Sequence, residues 1–398
     1  MQDPATPWLL DPSVIFLNHG SFGACPRPVL AAQERWRQRL EREPVRFMAT
    51  ELEVVMDAAR AQVAGFLGSR PEDLAFVGNT TTGVNTVLRS LPFGPGDELL
   101  ISNHEYNACA NAARFIAEAT GATVRTVEIP FPLAGPDEIS QRILAAAGPR
   151  TRLALLDHIT SQTALILPLE DLVSELNELG IDTLVDGAHA PGMLALNLDH
   201  LGAAYYTGNL HKWVCAPKGA AFLHVRRDRQ ESIRPLVISH GANSPRTDRS
   251  RFRIEFDWMG TFDPTPFLAV PAALRFMESL HPDGWAGVMA VNHHLALAAR
   301  KLLCAALRIP LPAPDSMVGC LASIPLPDGR AEPSPSPLYQ DPLQVRILEE
   351  SGIQVPIMPW PAPPRRLLRV SAQVYNTLED YEKLSQVVVR LLDEEQAA

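Results

Sequence analysis

The sequence predicts an α/β fold in which helices cover both faces of a mainly parallel sheet, followed by a smaller C-terminal α/β unit. Short apolar runs of strand length alternate with segments of helical period up to about residue 270, where the pattern changes to longer helices. That alternation is typical of parallel sheets buried on both faces. A length of 398 residues allows two domains, which we place at residues 1–270 and 271–398.

In the first part, each strand is predicted from a short apolar run and each helix from apolar residues at helical spacing. The expected strands are Val14–Leu17, Leu74–Val77, Glu98–Ile101, Val124–Ile129, Leu153–Leu156, Thr183–Val185, Ala203–Tyr206 and Ala220–Val225. Helices are expected at residues 28–42 and 51–67, after the GNTTTG segment of residues 78–83, and from about Asn107, Pro136 and Leu169. Residues 240–256 are expected to form a loop.

In the second part, the same criteria predict a helical pair, a few strands and a final amphipathic helix. The expected helices are 267–280, 284–307, Pro342–Ser351 and Leu378–Glu395, and the strands are Val318–Ile324, Ile353–Ile357 and Leu367–Val370. A proline-rich loop is expected at 325–338. The chain has 36 prolines, and we interpret their cluster at 355–364 as a rigid entry to the next strand.

Composition and charge exclude several classes of function. The 45 acidic against 35 basic residues argue against a nucleic-acid partner, because binding to phosphates needs basic contacts. No apolar run is long enough to span a membrane, and the N-terminus lacks the basic region of a signal peptide. The five cysteines form no C-x-x-C pair and no zinc-like spacing, so we expect a cytoplasmic protein without a metal site.

The first motif that carries chemistry is GNTTTG at residues 78–83, which joins a predicted strand to a helix N-terminus. Free N–H groups and the helix dipole favour an anion there, and Thr80 and Thr81 add hydroxyl donors for a phosphate. The alternative is an ordinary helix cap, for which one threonine is enough.

The second motif is DGAHAPG at residues 186–192, at the carboxyl end of a predicted strand, where such sheets bind ligands. Asp186 can pair there with a protonated ring nitrogen. The alternatives are a helix N-cap for Asp186 and a buried structural histidine for His189.

The third motif is TGNLHKW at residues 207–213. Lys212 has apolar neighbours, so burial should lower its amine pKa, as a lysine that bonds to a carbonyl requires. The alternative is a surface lysine. Together, the motifs supply a phosphate site, a carboxylate for a pyridine nitrogen and a lysine for an aldehyde, which are the needs of pyridoxal phosphate.

The chain resembles the class V aminotransferases, a family of pyridoxal-phosphate enzymes, and within it the isopenicillin N epimerase-like proteins. The resemblance covers nearly the whole length and is carried by FLNHGSFG (16–23), GNTTTGVN (78–85), DGAHAPG (186–192), TGNLHKW (207–213), the segment 256–263 and RVSAQVYNT (369–377). It implies the aspartate aminotransferase-like fold, with a seven-stranded, mainly parallel sheet between helices and a small C-terminal domain.

The resemblance also implies roles for individual residues. Lys212 forms the internal aldimine with the cofactor, Asp186 pairs with its pyridine nitrogen, and His189 lies near its phenolic oxygen. The phosphate is bound by Thr80, Thr81, Asn209, His211 and, from the partner of a homodimer, Thr261. Tyr106 stacks on the ring, and Arg369 holds the carboxylate of an amino-acid substrate, for which a bidentate guanidinium is suited.

Two departures from the family pattern matter. The family often has an H-x-S-N sequence where this chain has His158-Ile159-Thr160-Ser161-Gln162, so the resemblance does not carry that cofactor contact over. Cysteine desulfurases of this group need a reactive cysteine on a C-terminal loop. The candidate here, Cys320, lies in an apolar run and is expected to be a buried, unreactive strand residue.

The expected chemistry is proton removal at the α-carbon by Lys212, with amino-acid epimerisation as the first hypothesis. A C–S lyase, an aminotransferase and a non-catalytic cofactor-binding protein are the alternatives. Epimerisation needs a second acid on the opposite face of the substrate, for which His19 and His240 are candidates, although a structural role is the simpler interpretation. Arg246, Arg249, Arg251 and Arg253 either attract an acidic substrate side chain or form a solvated loop.

Overall fold

The computed structural model describes residues 7–330 and 340–397. Its strands are β1 (Ile15–Phe16), β2 (Leu74–Val77), β3 (Glu98–Ser102), β4 (Thr123–Val127), β5 (Thr151–Asp157), β6 (Asp182–Asp186), β7 (Tyr205–Asn209), β8 (Ala221–Val225), β9 (Leu321–Leu326), β10 (Ile353–Gln354), β11 (Ile357–Pro359) and β12 (Arg366–Ser371).

The α-helices cover both faces of the largest sheet and pack around the C-terminal strands. They are α1 (His19–Phe22), α2 (Arg27–Arg42), α3 (Pro44–Arg46), α4 (Leu52–Leu67), α5 (Thr80–Ser90), α6 (Asn107–Thr120), α7 (Pro136–Ala146), α8 (Leu169–Glu178), α9 (Leu198–Leu201), α10 (Arg251–Asp257), α11 (Thr265–Glu278), α12 (Gly284–Ala306), α13 (Pro342–Ser351) and α14 (Leu378–Ala397). Among the described residues, none of these helices is both long and apolar enough to cross a membrane.

Strands β2 to β8 form one seven-stranded sheet in the order β2-β8-β7-β6-β5-β3-β4. Strand β8 runs antiparallel to both of its neighbours, and the other pairs are parallel. The predicted α/β fold with a seven-stranded, mainly parallel sheet is therefore confirmed. All strands except β8 end at the same edge of the sheet, which brings the segments that follow them together.

Except at the edge strand β4, both faces of this sheet are buried, as the nearly continuous apolar strands predict. Along β3, Leu100 belongs to the hydrophobic cluster on one face, and Leu99 and Ile101 belong to the cluster on the other. Side chains alternate between faces along a strand, so one apolar run contributes to both layers. Helix α11 packs on α2 and α4, and its residues 267–270 belong to the first cluster.

The C-terminal part contains a three-stranded antiparallel sheet in the order β11-β12-β9. The N-terminal segment joins it, because β1 pairs in parallel with β10 and Leu17 lies in the same hydrophobic cluster as Leu368. Residue 270 falls inside α11, and the division of the chain near that residue stays a prediction.

The differences from the predicted elements have local causes. The predicted strand Ile353–Ile357 is two short strands, β10 and β11, separated by Val355 and Pro356. Helix α10 occupies part of the predicted loop 240–256, and Ser250 caps it by accepting the Arg253 N–H. The proline cluster at 355–364 lies in a hairpin, because β11 pairs antiparallel with β12. Most of the predicted loop 325–338, residues 331–338, lies outside the described residues.

Candidate active site

The candidate site lies at the edge of the sheet where the parallel strands end. Strands β5 and β6 finish side by side at Asp157 and Asp186, which are paired in register, and Thr207 of β7 is paired with Asp186. The lysine segment follows β7 directly. The fold therefore brings the DGAHAPG and TGNLHKW motifs to the same place.

Lys212 lies in a tight loop after β7, between the buried side chains of Leu210 and Trp213. Its Nζ donates to His189 Nε2 at 3.2 Å. Burial, assisted by the charge of Arg369, lowers the pKa of Lys212 to about 8. A buried amine that loses its proton this close to neutral pH is suited to act as a nucleophile and a base.

Asp186 is buried at the end of β6, and each of its carboxylate oxygens accepts a hydrogen bond. Oδ1 accepts the Ala188 N–H at 2.9 Å, and Oδ2 accepts the Cys109 thiol at 3.2 Å. Burial raises the pKa of Asp186, while these two donors and the charge of Lys212 lower it. The alternative for Asp186, an N-cap, does not describe it, since no helix of the described residues begins there.

His189 is buried beside the lysine. Burial is the main cause that lowers its pKa well below the usual range, so the ring is neutral, and Nε2 accepts from Lys212. Its Nδ1 is buried without a hydrogen-bond partner among the described residues. Because Nε2 of this neutral ring accepts a hydrogen bond, the proton is on Nδ1. The Nδ1–H group is therefore a buried donor that none of the described residues satisfies.

The GNTTTG segment forms the N-terminus of α5, an eleven-residue helix. Asn79 is the cap and accepts the Thr82 N–H. Thr80 is buried, and its Oγ1 has no partner among the described residues, whereas Thr81 is half-buried. Gly83 allows α5 to approach β7, because a Cβ there would lie 2.1 Å from Thr207 Oγ1. The motif is thus more than a cap.

Asn209 contacts this helix end, and His211 lies two residues further along the lysine segment. Asn209 Oδ1 accepts the Thr80 N–H at 3.0 Å, so Asn209 orients the end of α5. His211 Nδ1 donates to the Ala220 carbonyl at 3.0 Å, and burial lowers the pKa of His211 to about 4.

Arg369 reaches the site from the small sheet, where β12 places it beside Ser323 of β9. Its guanidinium donates to the Ser161 carbonyl at 2.7 Å and to Ser21 Oγ at 2.9 Å, and Nε has no partner within the described ranges. Burial lowers its pKa to about 10, so it remains charged. No carboxylate of the described residues forms an ion pair with this buried cation.

Tyr106 and Thr261 occupy different positions relative to this group. Tyr106 precedes α6 and is 43% exposed, and it is close enough to Arg369 and Asp186 for their charges to affect its pKa, which burial raises. Thr261 is exposed between α10 and α11. Both residues are therefore exposed in the single chain, and Tyr106 is the one that lies close to Arg369 and Asp186.

Sequence reasoning missed the surroundings of these residues. Glu105, Cys109 and Asp157 are buried next to Asp186, and Cys215 and Tyr375 are buried or half-buried around His19, behind the lysine loop. The available signals were weak: Glu105 and Cys109 flank Tyr106, Asp157 precedes His158, Cys215 follows TGNLHKW, and Tyr375 belongs to RVSAQVYNT. His240, the other candidate for a second acid, is exposed in a short 3₁₀ turn.

The arginines of residues 246–253 do not form a free cationic patch. Each makes an ion pair with a carboxylate of this chain: Arg246 with Glu53, Arg249 with Glu53 and Asp257, Arg251 with Glu255, and Arg253 with Asp57. Arg246 and Arg251 are exposed, as a solvated segment implies, and the attraction of an acidic substrate side chain stays a prediction. Arg246, Arg249 and Arg253 join this segment to α4 through Glu53 and Asp57, and Arg251 pairs with Glu255 within α10.

Comparison with known proteins identifies the family. The model of the family "Aminotransferase class-V" matches residues 23–384. The chain belongs to this family. Among its relatives, isopenicillin N epimerase of Amycolatopsis lactamdurans is 36% identical and is covered over 96% of each chain. The probable chloroplastic L-cysteine desulfhydrase of Arabidopsis thaliana is 30% identical, over 95% of this class V chain and 83% of the relative.

A solved structure supports the same fold. C-DES, in a form with glycine covalently linked to its pyridoxal-phosphate cofactor, superposes with a TM-score of 0.77 at 22% identity, over 94% of this chain and 96% of that chain. Family membership establishes pyridoxal phosphate as the cofactor of this class V protein, as predicted. The described residues fit that group: Thr80 Oγ1 and His189 Nδ1 are buried donors without partners, and Asp186 and Lys212 face the same edge of the sheet.

Proposed function

We propose that this class V enzyme moves a proton at the α-carbon of an amino-acid substrate, and that the net reaction is epimerisation. The observation that carries the proposal is that the buried guanidinium of Arg369 lies near the amine of Lys212. Arg369 is 2% exposed, has no carboxylate partner among the described residues, and is near enough for its charge to lower the pKa of Lys212. A buried, unpaired guanidinium is suited to hold a substrate carboxylate beside the basic amine.

In this proposal the cofactor is bound by residues at the strand ends. Thr80, Thr81, Asn209 and His211 would hold its phosphate, Asp186 its ring nitrogen, His189 its phenolic oxygen and Tyr106 one face of its ring. Thr261 of one protomer would reach the phosphate of its partner in a homodimer. When bound, pyridoxal phosphate supplies a protonated ring that withdraws electrons from the α-carbon and acidifies its hydrogen.

Lys212 is proposed as the group that removes the α-proton on one face of the substrate, and epimerisation needs an acid on the opposite face to supply a proton there. With a pKa of about 8, Nζ changes its protonation state near neutral pH, which is the condition for efficient acid–base catalysis. His189 Nε2 accepts from Nζ at 3.2 Å and so orients the amine. The buried Leu210, Trp213 and Val214 keep water away from it.

The choice of epimerisation rests on the 36% identity to isopenicillin N epimerase over 96% of the chain. A C–S lyase reaction is the second candidate, supported by the desulfhydrase relative at 30% identity. It needs the same proton removal, followed by loss of a thiolate from the β-carbon. Transamination and a non-catalytic, cofactor-binding role are further alternatives.

A cysteine desulfurase reaction has little support. Cys320 precedes β9 directly, is fully buried, and has its thiol pKa raised by burial. Such a thiol is a poor nucleophile and is not presented on an exposed loop. The expectation of a buried Cys320 is confirmed, although the strand begins one residue later.

The test is incubation of the holoenzyme with single enantiomers of candidate amino acids, including cysteine, in deuterated water. Epimerisation predicts deuterium at the α-carbon and both enantiomers by chiral chromatography, without pyruvate, sulfide or keto acid. Release of pyruvate and sulfide would favour the lyase, and a keto acid the aminotransferase. Lys212→Ala is the matched control and should incorporate no deuterium. If the wild type incorporates none from any substrate, the proposal of α-carbon chemistry fails.

A further inference from the structure

Beneath Asp186 lies a group of buried acidic side chains that the motifs did not predict. Ligand atoms of Glu105, Cys109 and Asp186 lie within 4.8 Å of one another. Asp157 is paired in register with Asp186 on the neighbouring strand. All four residues are at most 5% exposed. Three carboxyl groups and a thiol therefore share a site that water barely reaches.

Hydrogen-bond donors in this group are distributed unevenly. Asp186 accepts from the Ala188 N–H and the Cys109 thiol. Both oxygens of Glu105 and Oδ2 of Asp157 are buried without a hydrogen-bond partner among the described residues. Among the residues that the structure describes, no arginine or lysine forms an ion pair with any of these three carboxyl groups. Lys212 lowers the pKa of Asp157 and Asp186 through its charge alone.

Three adjacent carboxylates cannot all stay ionised in such a site, because like charges repel strongly where water is excluded. The proton is expected on the group with the fewest donors. Burial, followed by the charges of Asp157 and Asp186, raises the pKa of Glu105 well above its usual range. The Cys109 thiol also stays protonated, mainly because it is buried.

We propose that Glu105 is a neutral carboxylic acid at neutral pH and serves as a positioning residue for the cofactor's ring nitrogen. With Glu105 uncharged, Asp186 keeps its negative charge, supported by the Cys109 thiol and the Ala188 N–H. Burial and the charge of Asp186 also raise the pKa of Asp157 well above its usual range, so with both Glu105 and Asp157 protonated a single carboxylate would balance a single pyridinium. The inference rests on the proposed role of Asp186 at the ring nitrogen. The experiments below distinguish a failure of that role from a failure of the claim about Glu105.

The decisive measurement is the infrared difference spectrum of the cofactor-free wild type minus Glu105→Gln at about pH 7. The proposal predicts that the band lost on substitution is the carbonyl stretch of a protonated carboxylic acid. Glu118→Gln, exposed on α6, the helix that follows Glu105, is the matched control and should lose carboxylate bands. Loss of carboxylate bands in Glu105→Gln would overturn the proposal.

A pH series on the wild type tests the same point should the variant not fold. A protonated-acid band must persist at about pH 7 and disappear only at higher pH. The groups that face Glu105 are Asp157 of β5, Asp186 of β6 and Cys109 of α6. Ionisation of one of these neighbours should shift the carbonyl band of Glu105 but should not abolish it at neutral pH. A spectrum without any protonated-acid band at about pH 7 overturns the proposal.

Cofactor affinity separates Glu105 from Asp186. Glutamine resembles a neutral acid, so Glu105→Gln should bind pyridoxal phosphate within about threefold of the wild type, whereas Asp186→Asn should bind at least about tenfold more weakly. A tenfold change in Glu105→Gln would mean that Glu105 carries charge, which contradicts the inference. An unchanged Asp186→Asn would contradict only the role of Asp186, because the infrared result on cofactor-free protein stands independently.

Discussion

The imidazole of His19 donates from Nε2 to the backbone carbonyl of Lys212, at 3.1 Å. A carbonyl can only accept, so the proton is on Nε2, and Nδ1 accepts from the Tyr375 hydroxyl at 2.7 Å. Burial lowers the pKa of His19 to about 3, so the ring is neutral. Through its two ring nitrogens, His19 connects the lysine loop to Tyr375 in the C-terminal part of the chain. This supports a structural role for His19 and not the role of a second acid.

Removal of this imidazole should loosen the lysine loop. His19→Ala leaves the Lys212 carbonyl and the Tyr375 hydroxyl without their partner, and each such buried group costs about 1–3 kcal/mol. We expect a lower free energy of unfolding and a lower kcat, with cofactor still bound. Chemical denaturation and the absorbance of bound pyridoxal phosphate measure these effects. The exposed His200→Ala is the control, and equal losses in both variants would contradict the role of His19.

Gly23 is the position at which a methyl group should do most damage near the lysine. Its φ is +69°, and a Cβ would lie 2.2 Å from the His211 carbonyl oxygen and 3.0 Å from Lys212 Cα. Gly23→Ala should therefore displace the lysine loop and cost roughly 1–3 kcal/mol or more. Gly65→Ala, in α4 with open space around its Cβ, should stabilise by about 0.5–1 kcal/mol. Thermal unfolding of both variants tests this; a tolerated Gly23→Ala would refute the close contact.

Lys212 should reduce the stability of the cofactor-free protein at neutral pH. Its pKa is about 8 when folded and ~10.4 when unfolded, so between these values the unfolded chain binds more protons and stability rises with pH. Below both values the full cost of the buried ammonium is present. Lys212→Met should thus be more stable by about 1–3 kcal/mol at pH 7 and lack the rise above pH ~8.

Denaturant titrations of the wild type and of Lys212→Met at several pH values measure this difference. Lys383→Met, at a surface position of α14, is the control and should keep the wild-type rise. A Lys212→Met protein that is less stable than the wild type at pH 7, or that keeps the same slope, would show that Lys212 is solvated.

Arg369 should be irreplaceable by lysine for substrates that carry a carboxylate. Lysine keeps the charge but loses the planar fork, so kcat/KM of Arg369→Lys should fall by about 10–100-fold, mostly through KM. Cofactor affinity should change little. Arg365→Lys, exposed at the start of the same strand, is the control. Binding of an amine analogue without a carboxylate should be equal in wild type and Arg369→Lys; a similar loss for that analogue would argue for a structural role.

Most of the fold follows from local sequence. Leu74–Val77 and Pro342–Ser351 have the predicted bounds, because the apolar run and the proline-led helix are each bounded by clear breaks. Helix α10 was missed because its buried Phe252 and Phe256 are interspersed with arginines, and the ion pairs to α4 that accommodate those arginines are distant in sequence. Strand ends also shifted, since pairing partners decide where a strand stops.

The sequence by itself determined the family, the cofactor and the placement of Asp186, Lys212 and the GNTTTG segment at one edge of the sheet, because parallel strands bring their carboxyl ends together. Only the tertiary structure decided what surrounds them. Arg369 meets Ser21 and Ser161, His19 meets Lys212, and Glu105 shares a buried space with Asp186, each across a different part of the chain. Burial and charge at such contacts depend on packing between distant segments, and no local pattern encodes them.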